Sequence, residues 1–214
     1  MGASIHDIIY NLPAEPKLIC LSDIFGDDRP VELEIGCGKG GFLLEESRLH
    51  EDRNYLGVEW AAQYFRFAVD RLARWGRTNV RILRADARQF VLHYLAPASI
   101  AALHVYHPDP WPKRRHHKRR LFDETFVGAV VRVLADGGPC RVQTDHADYF
   151  RVIGELLTAR PEFEQMLCTT QEVGRAPVVA TNYQIKYQQE GRAIHALRCV
   201  RKPRSLSTES TSGK

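Results

Sequence analysis

The chain has 214 residues, 44% of them hydrophobic and 26% charged, and this balance is typical of a soluble globular protein. The composition argues against a disordered chain, a collagen or a coiled coil, and no apolar run approaches the roughly 20 residues of a membrane-spanning helix. The formal net charge of +4 is too small to indicate a partner by itself.

An N-terminal arm, residues 1–30, precedes a region in which strand and helix patterns alternate. At the other end, residues 205–214 form a Ser/Thr-rich tail without an apolar face, which predicts disorder. The strands are predicted at residues 31–35, 55–58, 79–83, 100–106, 140–143, 163–169 and 193–200. The helices are predicted at residues 41–49, 62–75, 87–95, 121–134 and 146–159, with a further helical segment at 181–188.

The alternation of strands and helices predicts one α/β domain over residues 31–204, with a mostly parallel sheet covered by helices on both faces. In such sheets, ligands bind beyond the carboxyl ends of the strands. Polar residues follow five of the predicted strands, so the fold would bring them to one edge. This convergence is the main physical argument for a site.

A glycine-rich turn follows the first strand. Gly36, Gly38 and Gly41 satisfy the dinucleotide pattern G-x-G-x-x-G, whereas Glu34 with Gly36, Gly38 and Gly40 satisfies E-x-G-x-G-x-G, a pattern of S-adenosylmethionine (SAM) sites. A carboxylate before the turn would repel a pyrophosphate but attract the cationic methionine end of SAM. The turn therefore indicates a cofactor site, and each pattern alone is weak.

Acidic residues end the next two strands. Glu59 lies 23 residues after Gly36, where a carboxylate can accept hydrogen bonds from ribose hydroxyls of either NAD or SAM. Asp86 ends the third strand and can accept from the exocyclic amine of adenine, although an N-cap for the following helix explains it equally well.

A proline-rich loop follows the fourth strand. Three prolines stiffen the segment 107–113, so that Asp109 and Trp111 can be held in fixed positions. A carboxylate can read the N1–H and N2–H₂ edge of guanine, and an aromatic face can stack on a base. The alternative is a turn whose Trp packs in the core.

A basic run continues from this loop and makes the whole protein basic. Six positive charges fall within residues 113–120, and without them the formal net charge of +4 would be −2. A run of this kind suits a polyanion, most often nucleic acid. The six residues are Lys113, Arg114, Arg115, Lys118, Arg119 and Arg120, and the last five are the predicted phosphate-binding patch.

The remaining polar residues give weaker signals. Asp145 ends the fifth strand and is either a site residue or an N-cap, and the spacing of Thr181 and Gln184 is that of a capping box. The histidines near the loop have no acid or Cys at a usual ligand spacing, so no metal is expected. Five widely spaced cysteines and the absence of a signal-peptide pattern predict reduced thiols in the cytoplasm.

Taken in order, these motifs resemble those of the bacterial tRNA (guanine-N7-)-methyltransferases, which are class I SAM-dependent enzymes with a Rossmann-like, seven-stranded sheet. The Gly turn is common to many methyltransferases, whereas the Pro-Asp-Pro-Trp loop with its basic run is far more specific. The matching segments are EIGCGKG at 34–40, YLGVE at 55–59, NVRILRAD at 79–86, PDPW at 108–111 with Lys113, KRR at 118–120, TD at 144–145 and TNYQ at 181–184.

The resemblance implies transfer of a methyl group from SAM to N7 of a guanosine in the tRNA variable loop. It implies SAM binding through Glu34, the Gly turn, Glu59, Asp86 and Asp109, with Asp109 at the catalytic centre. It also implies tRNA contacts through Lys113, Asp145, Thr181, Asn182, Tyr183 and Gln184.

The chain departs from the family pattern at two positions, because His107 stands where an aromatic is usual and Gln184 where Glu is common. The residues are also compatible with three other functions: a methyltransferase for an exocyclic amine of nucleic acid, an NAD-dependent oxidoreductase, and a non-catalytic RNA-binding module. Whether the protein is a monomer or a homodimer does not follow from the sequence.

Overall fold

A computed structural model describes residues 4–171 and 193–204, and within β6 the side chains of residues 165–171 are not described. Seven strands form one sheet in the order β3-β2-β1-β4-β5-β7-β6. Strands β1 to β5 are parallel, while β7 runs antiparallel to both β5 and β6. The mostly parallel seven-stranded sheet is therefore confirmed. The strands are β1 Val31–Ile35, β2 Asn54–Val58, β3 Val80–Leu83, β4 Ala102–Tyr106, β5 Pro139–Thr144, β6 Phe163–Gln171 and β7 Ile194–Arg201.

Helices alternate with the parallel strands, and each ends within a few residues of its predicted bounds. The largest difference is at α6, which begins at Glu124 and not at residue 121. Asp123 precedes the helix as its N-cap and accepts a hydrogen bond from the Phe126 amide. A helical segment predicted at 181–188 lies outside the described residues. The helices are α1 Ile5–Ile8, α2 Leu21–Phe25, α3 Gly41–Leu49, α4 Ala62–Arg74, α5 Ala87–His93, α6 Glu124–Val133 and α7 Ala147–Thr158.

The sheet separates two apolar clusters. On one face, α5, α6 and α7 contribute buried side chains such as Phe90, Phe126 and Ile153. On the other face, α3 and α4 contribute Phe42 and Leu72, among others. Each parallel strand is covered on both faces, which explains why β1, β2 and β4 are buried at every position.

The N-terminal arm packs on the domain. Ile9 and Ile19 form isolated bridges with Ile82 and Leu95, and Tyr10 N–H donates to the Ile82 carbonyl at 2.9 Å. The arm thus supplies partners to the edge strand β3. The sequence did not predict the two short helices α1 and α2, because four or five residues carry no measurable helical period.

Among the described residues, no helix is both long and apolar enough to cross a membrane.

Close packing between β2 and α3 gives a stability prediction. A Cβ at Gly57 would lie 2.6 Å from Leu43 Cδ1 and 3.1 Å from Cys37 Sγ. We expect Gly57→Ala to lower the free energy of unfolding by about 1–3 kcal/mol through overpacking. Gly154→Ala in α7 is the matched control, since its Cβ would lie an ordinary 3.8 Å from Leu197 Cδ1.

Urea denaturation of both variants measures the difference. The control should gain up to about 1 kcal/mol, because alanine loses less conformational entropy than glycine in a helix. Equal midpoints for Gly57→Ala and the wild type would contradict the packing argument.

Candidate active site

A cavity of about 370 Å³ opens at the carboxyl ends of β1, β2, β3 and β4. The position agrees with the rule that ligands bind beyond these ends in open α/β sheets. Of the sequence-predicted residues, it brings together part of the Gly turn, Glu59 and the proline-rich loop. The residues used in the argument below are Gly36, Gly38, Glu59, Asp109, Trp111 and Arg119, all of which line the cavity.

The Gly turn has a backbone that ordinary residues rarely adopt. Gly36, Gly38 and Gly40 have φ angles of 71°, 54° and 68°, all in the left-handed region. The turn is held to β2, because Gly36 N–H donates to the Val58 carbonyl at 2.8 Å. At Gly40 a Cβ would also lie 3.1 Å from Ala68 Cβ of α4. The turn therefore approaches α4 closely, and it presents backbone instead of side chains to the cavity.

Glu59 connects the Gly turn to the start of α4. Its Oε2 accepts from Gly38 N–H at 2.9 Å, and its Oε1 accepts from Ala61 N–H at 2.7 Å. The carboxylate thus fixes two adjacent turns while it lines the cavity. Each carboxylate oxygen has a second lone pair, so acceptance from ligand hydroxyls remains possible.

Glu34 lies beneath the turn and is almost fully buried, with 4% of its surface exposed. Its Oε2 has no hydrogen-bond partner among the described residues. Burial, reinforced by the negative charges of Glu59 and Glu46, raises the pKa of Glu34 to about 8. Glu34 is not among the residues that line the cavity, although the next two residues, Ile35 and Gly36, are. A buried carboxyl oxygen without a partner is costly unless another group satisfies it.

Asp86 acts as a helix N-cap, the alternative to the adenine contact. Its Oδ1 accepts from Gln89 N–H at 3.0 Å and so forms the N-cap of α5. The side chain is exposed and absent from the cavity lining, which instead includes its neighbours Ala85 and Ala87. In this structure Asp86 is therefore a cap at the rim, with one carboxylate oxygen committed to the helix.

The proline-rich loop brings Asp109 to the cavity. Its first residue, His107, has a φ of 52°, and its N–H donates to the Gln143 carbonyl of β5 at 2.7 Å. The positive φ turns the chain sharply away from the sheet at the end of β4. Asp109 is exposed and lines the cavity. The loop thus sets a carboxylate at the cavity wall opposite the turn that follows β2.

Trp111 does not pack in the core. It is half-buried, lines the cavity and has a φ of 41°. The Arg119 guanidinium lies 4.9 Å from the centre of its ring, and the His116 ring meets it edge-on at 5.8 Å. The basic run therefore folds back on the loop and holds the indole in place.

The basic run forms a 3₁₀ helix, Arg114–Arg119, in which Arg114, Arg115 and Lys118 are exposed. Lys113 precedes it and is also exposed. Arg120 differs from the rest of the predicted phosphate-binding patch. Its Nε donates to the Pro110 carbonyl at 2.8 Å, and its guanidinium lies 4.7 Å from the centre of the Tyr149 ring. Arg120 thus anchors the loop to α7.

Asp145 lies at the end of β5, beside the loop. Its Oδ1 is 3.8 Å from His107 Nδ1, and burial lowers the pKa of His107 although the Asp145 charge opposes this. The predicted contacts Thr181, Asn182, Tyr183 and Gln184, and the tail 205–214, lie outside the described residues.

A buried polar network beneath the cavity is not among the sequence-predicted residues. Burial alone would raise the pKa of Glu32, but hydrogen bonds from His104 and Arg53 outweigh this effect and lower the pKa to about 2. Since this carboxylate only accepts, His104 Nε2–H donates to it at 2.7 Å, and Nδ1 accepts from the Tyr106 hydroxyl at 2.9 Å. Tyr106 lines the cavity, so the network positions one of its walls. Polar residues inside the apolar strands β1 and β4 were the signal that could have revealed it.

Among the described residues, no group of three or more His, Cys, Asp or Glu is placed to hold a metal ion.

Comparisons with known proteins agree with this geometry. A family model described as "Putative methyltransferase" matches residues 28–197. A curated tRNA (guanine-N(7)-)-methyltransferase of Geobacillus kaustophilus is 33% identical over 189 residues, which cover 86% of this chain and 85% of the relative.

Solved structures support the fold. The precorrin-6y C5,15-methyltransferase of Geobacter metallireducens is 17% identical, with a TM-score of 0.57 over 87% of this chain and 91% of that one. The phosphoethanolamine N-methyltransferase 2 of Haemonchus contortus, solved with S-adenosyl-L-methionine, is 12% identical, with a TM-score of 0.54 over 86% of this chain and 51% of that one.

Burial of Glu34 predicts a pH-dependent stability. Between about pH 4.3, where a carboxyl in the unfolded chain ionises, and the folded pKa of about 8, the folded state keeps a proton that the unfolded state has lost. This contribution therefore lowers the free energy of unfolding as the pH rises. Glu34→Gln cannot ionise, so its stability relative to the wild type should increase from pH 5 to pH 8, by at most about 1.4 kcal/mol per pH unit.

Urea denaturation at four pH values between 5 and 8 measures this difference. Glu45→Gln, which removes an exposed carboxyl of α3, is the control and should follow the wild type. Parallel curves for Glu34→Gln and the wild type would mean that Glu34 is ionised in the folded chain.

Proposed function

The chain belongs to the tRNA (guanine-N7-)-methyltransferase family, and from this membership we propose that it transfers a methyl group from SAM to N7 of a guanosine in tRNA. The family assignment carries the reaction class. The observation that supports the site is one cavity lined by the Gly turn, Glu59 and Asp109. We further propose that the target guanosine lies in the variable loop, as the resemblance implies.

The residues present fit SAM. The Oε2 of the buried Glu34 has no hydrogen-bond partner among the described residues. We propose that Glu34 gives up its proton when the cationic amino-acid end of SAM binds nearby. Glu59 lines the cavity with lone pairs available for ribose hydroxyls, and the glycines leave room for close approach. When bound, SAM supplies an electrophilic methyl group. For Asp86 we propose a rim position in which its second oxygen faces the adenine end.

Methylation at guanine N7 needs no general base, because N7 carries a lone pair and no proton. The contribution of the chain is therefore orientation and charge. We propose that Asp109 accepts from the N1–H and N2–H₂ edge of guanine and stabilises the positive charge that develops on the ring. The ring of Trp111, held by Arg119, provides a face on which the base can stack.

The basic run provides the attraction for the tRNA backbone. Lys113, Arg114, Arg115 and Lys118 are exposed beside the loop that carries Asp109. We propose that these four contact phosphates, while Arg119 and Arg120 hold the loop. Asp145 and residues 181–184 remain proposed tRNA contacts.

The activity test uses unmodified tRNA, labelled SAM and identification of the product nucleoside by mass spectrometry. We expect 7-methylguanosine from the wild type. Asp109→Ala should abolish transfer, and Asp109→Asn, which keeps the shape but loses the charge and one acceptor, should lower the rate at least about a hundredfold.

Asp52→Asn is the matched control, since Asp52 is exposed and precedes β2 at the opposite edge of the sheet. It should keep the wild-type rate. Wild-type turnover in Asp109→Ala would refute the role of Asp109, and a different methylated nucleoside would refute the proposed reaction.

The phosphate contacts predict a salt dependence. Replacing Arg114, Arg115 and Lys118 together by Ala should weaken tRNA binding and make the slope of log K against log salt shallower by about two to three, since each of the three lost contacts accounts for roughly 0.7–0.9. The control replaces Lys17, Arg48 and Arg151, which carry the same charge on other exposed surfaces. Filter binding at several salt concentrations measures both. Equal slopes for the two triple variants would show that the 3₁₀ helix is only a solvated surface.

A further inference from the structure

Helix α4 presents a row of exposed aromatic side chains to solvent. Trp60, Tyr64 and Phe67 are 67%, 37% and 41% exposed, and Trp75 at the end of the helix is 65% exposed. The spacing of Tyr64, Phe67 and Trp75, three and eight residues, places these three on one face of α4, while Trp60 precedes the helix by two residues. We call these four residues the aromatic stripe. The other large hydrophobic side chains exposed among the described residues are aliphatic and scattered: Ile5, Leu18 and Leu49.

A row of this kind needs an explanation. Single exposed hydrophobic residues are ordinary, whereas contiguous ones mark an interaction surface. Other positions of α4 supply Ala68, Leu72 and further buried residues to the core. The fold therefore does not require aromatic residues on the outer face.

Cations lie beside two members of the stripe, Phe67 and Trp60. Lys39 Nζ and the Arg71 guanidinium each lie 5.3 Å from the centre of the Phe67 ring. Arg71 also donates to the Lys39 carbonyl at 3.3 Å, and so connects α4 to the Gly turn. Arg84 Nε donates to the Trp60 carbonyl at 3.2 Å, which brings a further positive charge to the first aromatic residue.

The stripe is continuous with the cavity. Trp60 and Tyr64 line the cavity mouth, and Phe67 and Arg71 continue the same face away from it. A polymer bound at the cavity can therefore extend along this face. Aromatic rings with interleaved cations suit a strand of unpaired nucleotides, whose bases stack while the phosphates meet the cations.

We propose that the aromatic stripe of α4 is a second tRNA-binding surface, which stacks unpaired bases on the side of the Gly turn opposite the loop that holds the guanosine. The inference deepens the proposed function and rests on it. A second copy of this chain is the competing occupant. In a two-fold interface the same patch would face itself, and Lys39, Arg71 and Arg84 would then repel their own copies.

Phe67 gives the test, because it lies in the stripe but outside the cavity lining. We expect Phe67→Ala to raise the Kd for an unmodified tRNA transcript about tenfold, within the range for loss of one stacked base. Phe67→Leu keeps the apolar surface without an aromatic face and should show a similar loss, while Phe67→Tyr should bind as the wild type does. Leu49→Ala, at an exposed apolar position of α3, is the control and should leave the Kd unchanged.

Two further measurements separate the explanations. The Kd for SAM should stay within twofold of the wild type, which shows that the Gly turn beside Phe67 is intact. A fully paired RNA duplex should bind the wild type and Phe67→Ala equally, because it offers no unpaired base to stack.

The inference fails if Phe67→Ala binds tRNA within twofold of the wild type, or if its loss is equal on the duplex. It also fails if Phe67→Leu retains tRNA affinity, or if Phe67→Ala converts a dimer to a monomer by mass photometry, since a second copy would then cover the stripe. Failure of the proposed function is distinguishable, because it is judged on the methylated nucleoside that the wild type produces and not on Phe67.

Discussion

One carboxylate holds the centre of the site together. Glu59 accepts from Gly38 N–H of the turn after β1 and from Ala61 N–H at the start of α4. The glycines make the turn possible but do not fix it, since their backbone has the widest range of conformations. A buried acceptor that satisfies two backbone donors selects one arrangement from that range. The shape of the cavity, and the position of α4 with its exposed face, therefore depend on this residue.

The positive charge of the protein is used in two different ways. Arg119 and Arg120 lie at the end of the basic run, yet their guanidinium groups contact the Trp111 ring and the Pro110 carbonyl. The planar guanidinium suits both contacts, because it stacks on rings and donates in a fixed direction. The preceding basic residues stay exposed. The run thus builds the loop that carries Asp109 and also presents charge beside it.

The sequence predicted the sheet well, but it predicted the roles of individual polar residues less well. Strands such as β1 and β2 were predictable because short segments rich in apolar residues end abruptly at Gly36 and Glu59. The role of Asp86 could not be predicted, since an N-cap and a ligand contact need the same residue type at the same strand end. Arg120 is chemically like its neighbours in the run, and only the position of α7 and Tyr149 distinguishes it. The anchors of the N-terminal arm, such as Ile8 and Ile19, are single buried residues without a period.

Sheet order explains why two separate surfaces can serve one polymeric substrate. In the order β3-β2-β1-β4-β5, the strands β2 and β4 flank β1, so the segments that follow them lie on opposite sides of the Gly turn. One segment leads into the aromatic stripe, and the other is the proline-rich loop with its basic run. A nucleic acid held on one side alone could still rotate about that contact and move its target base out of reach. Contacts on both sides would remove this freedom, and for a reaction that needs no general base such orientation is the main contribution that the chain can make.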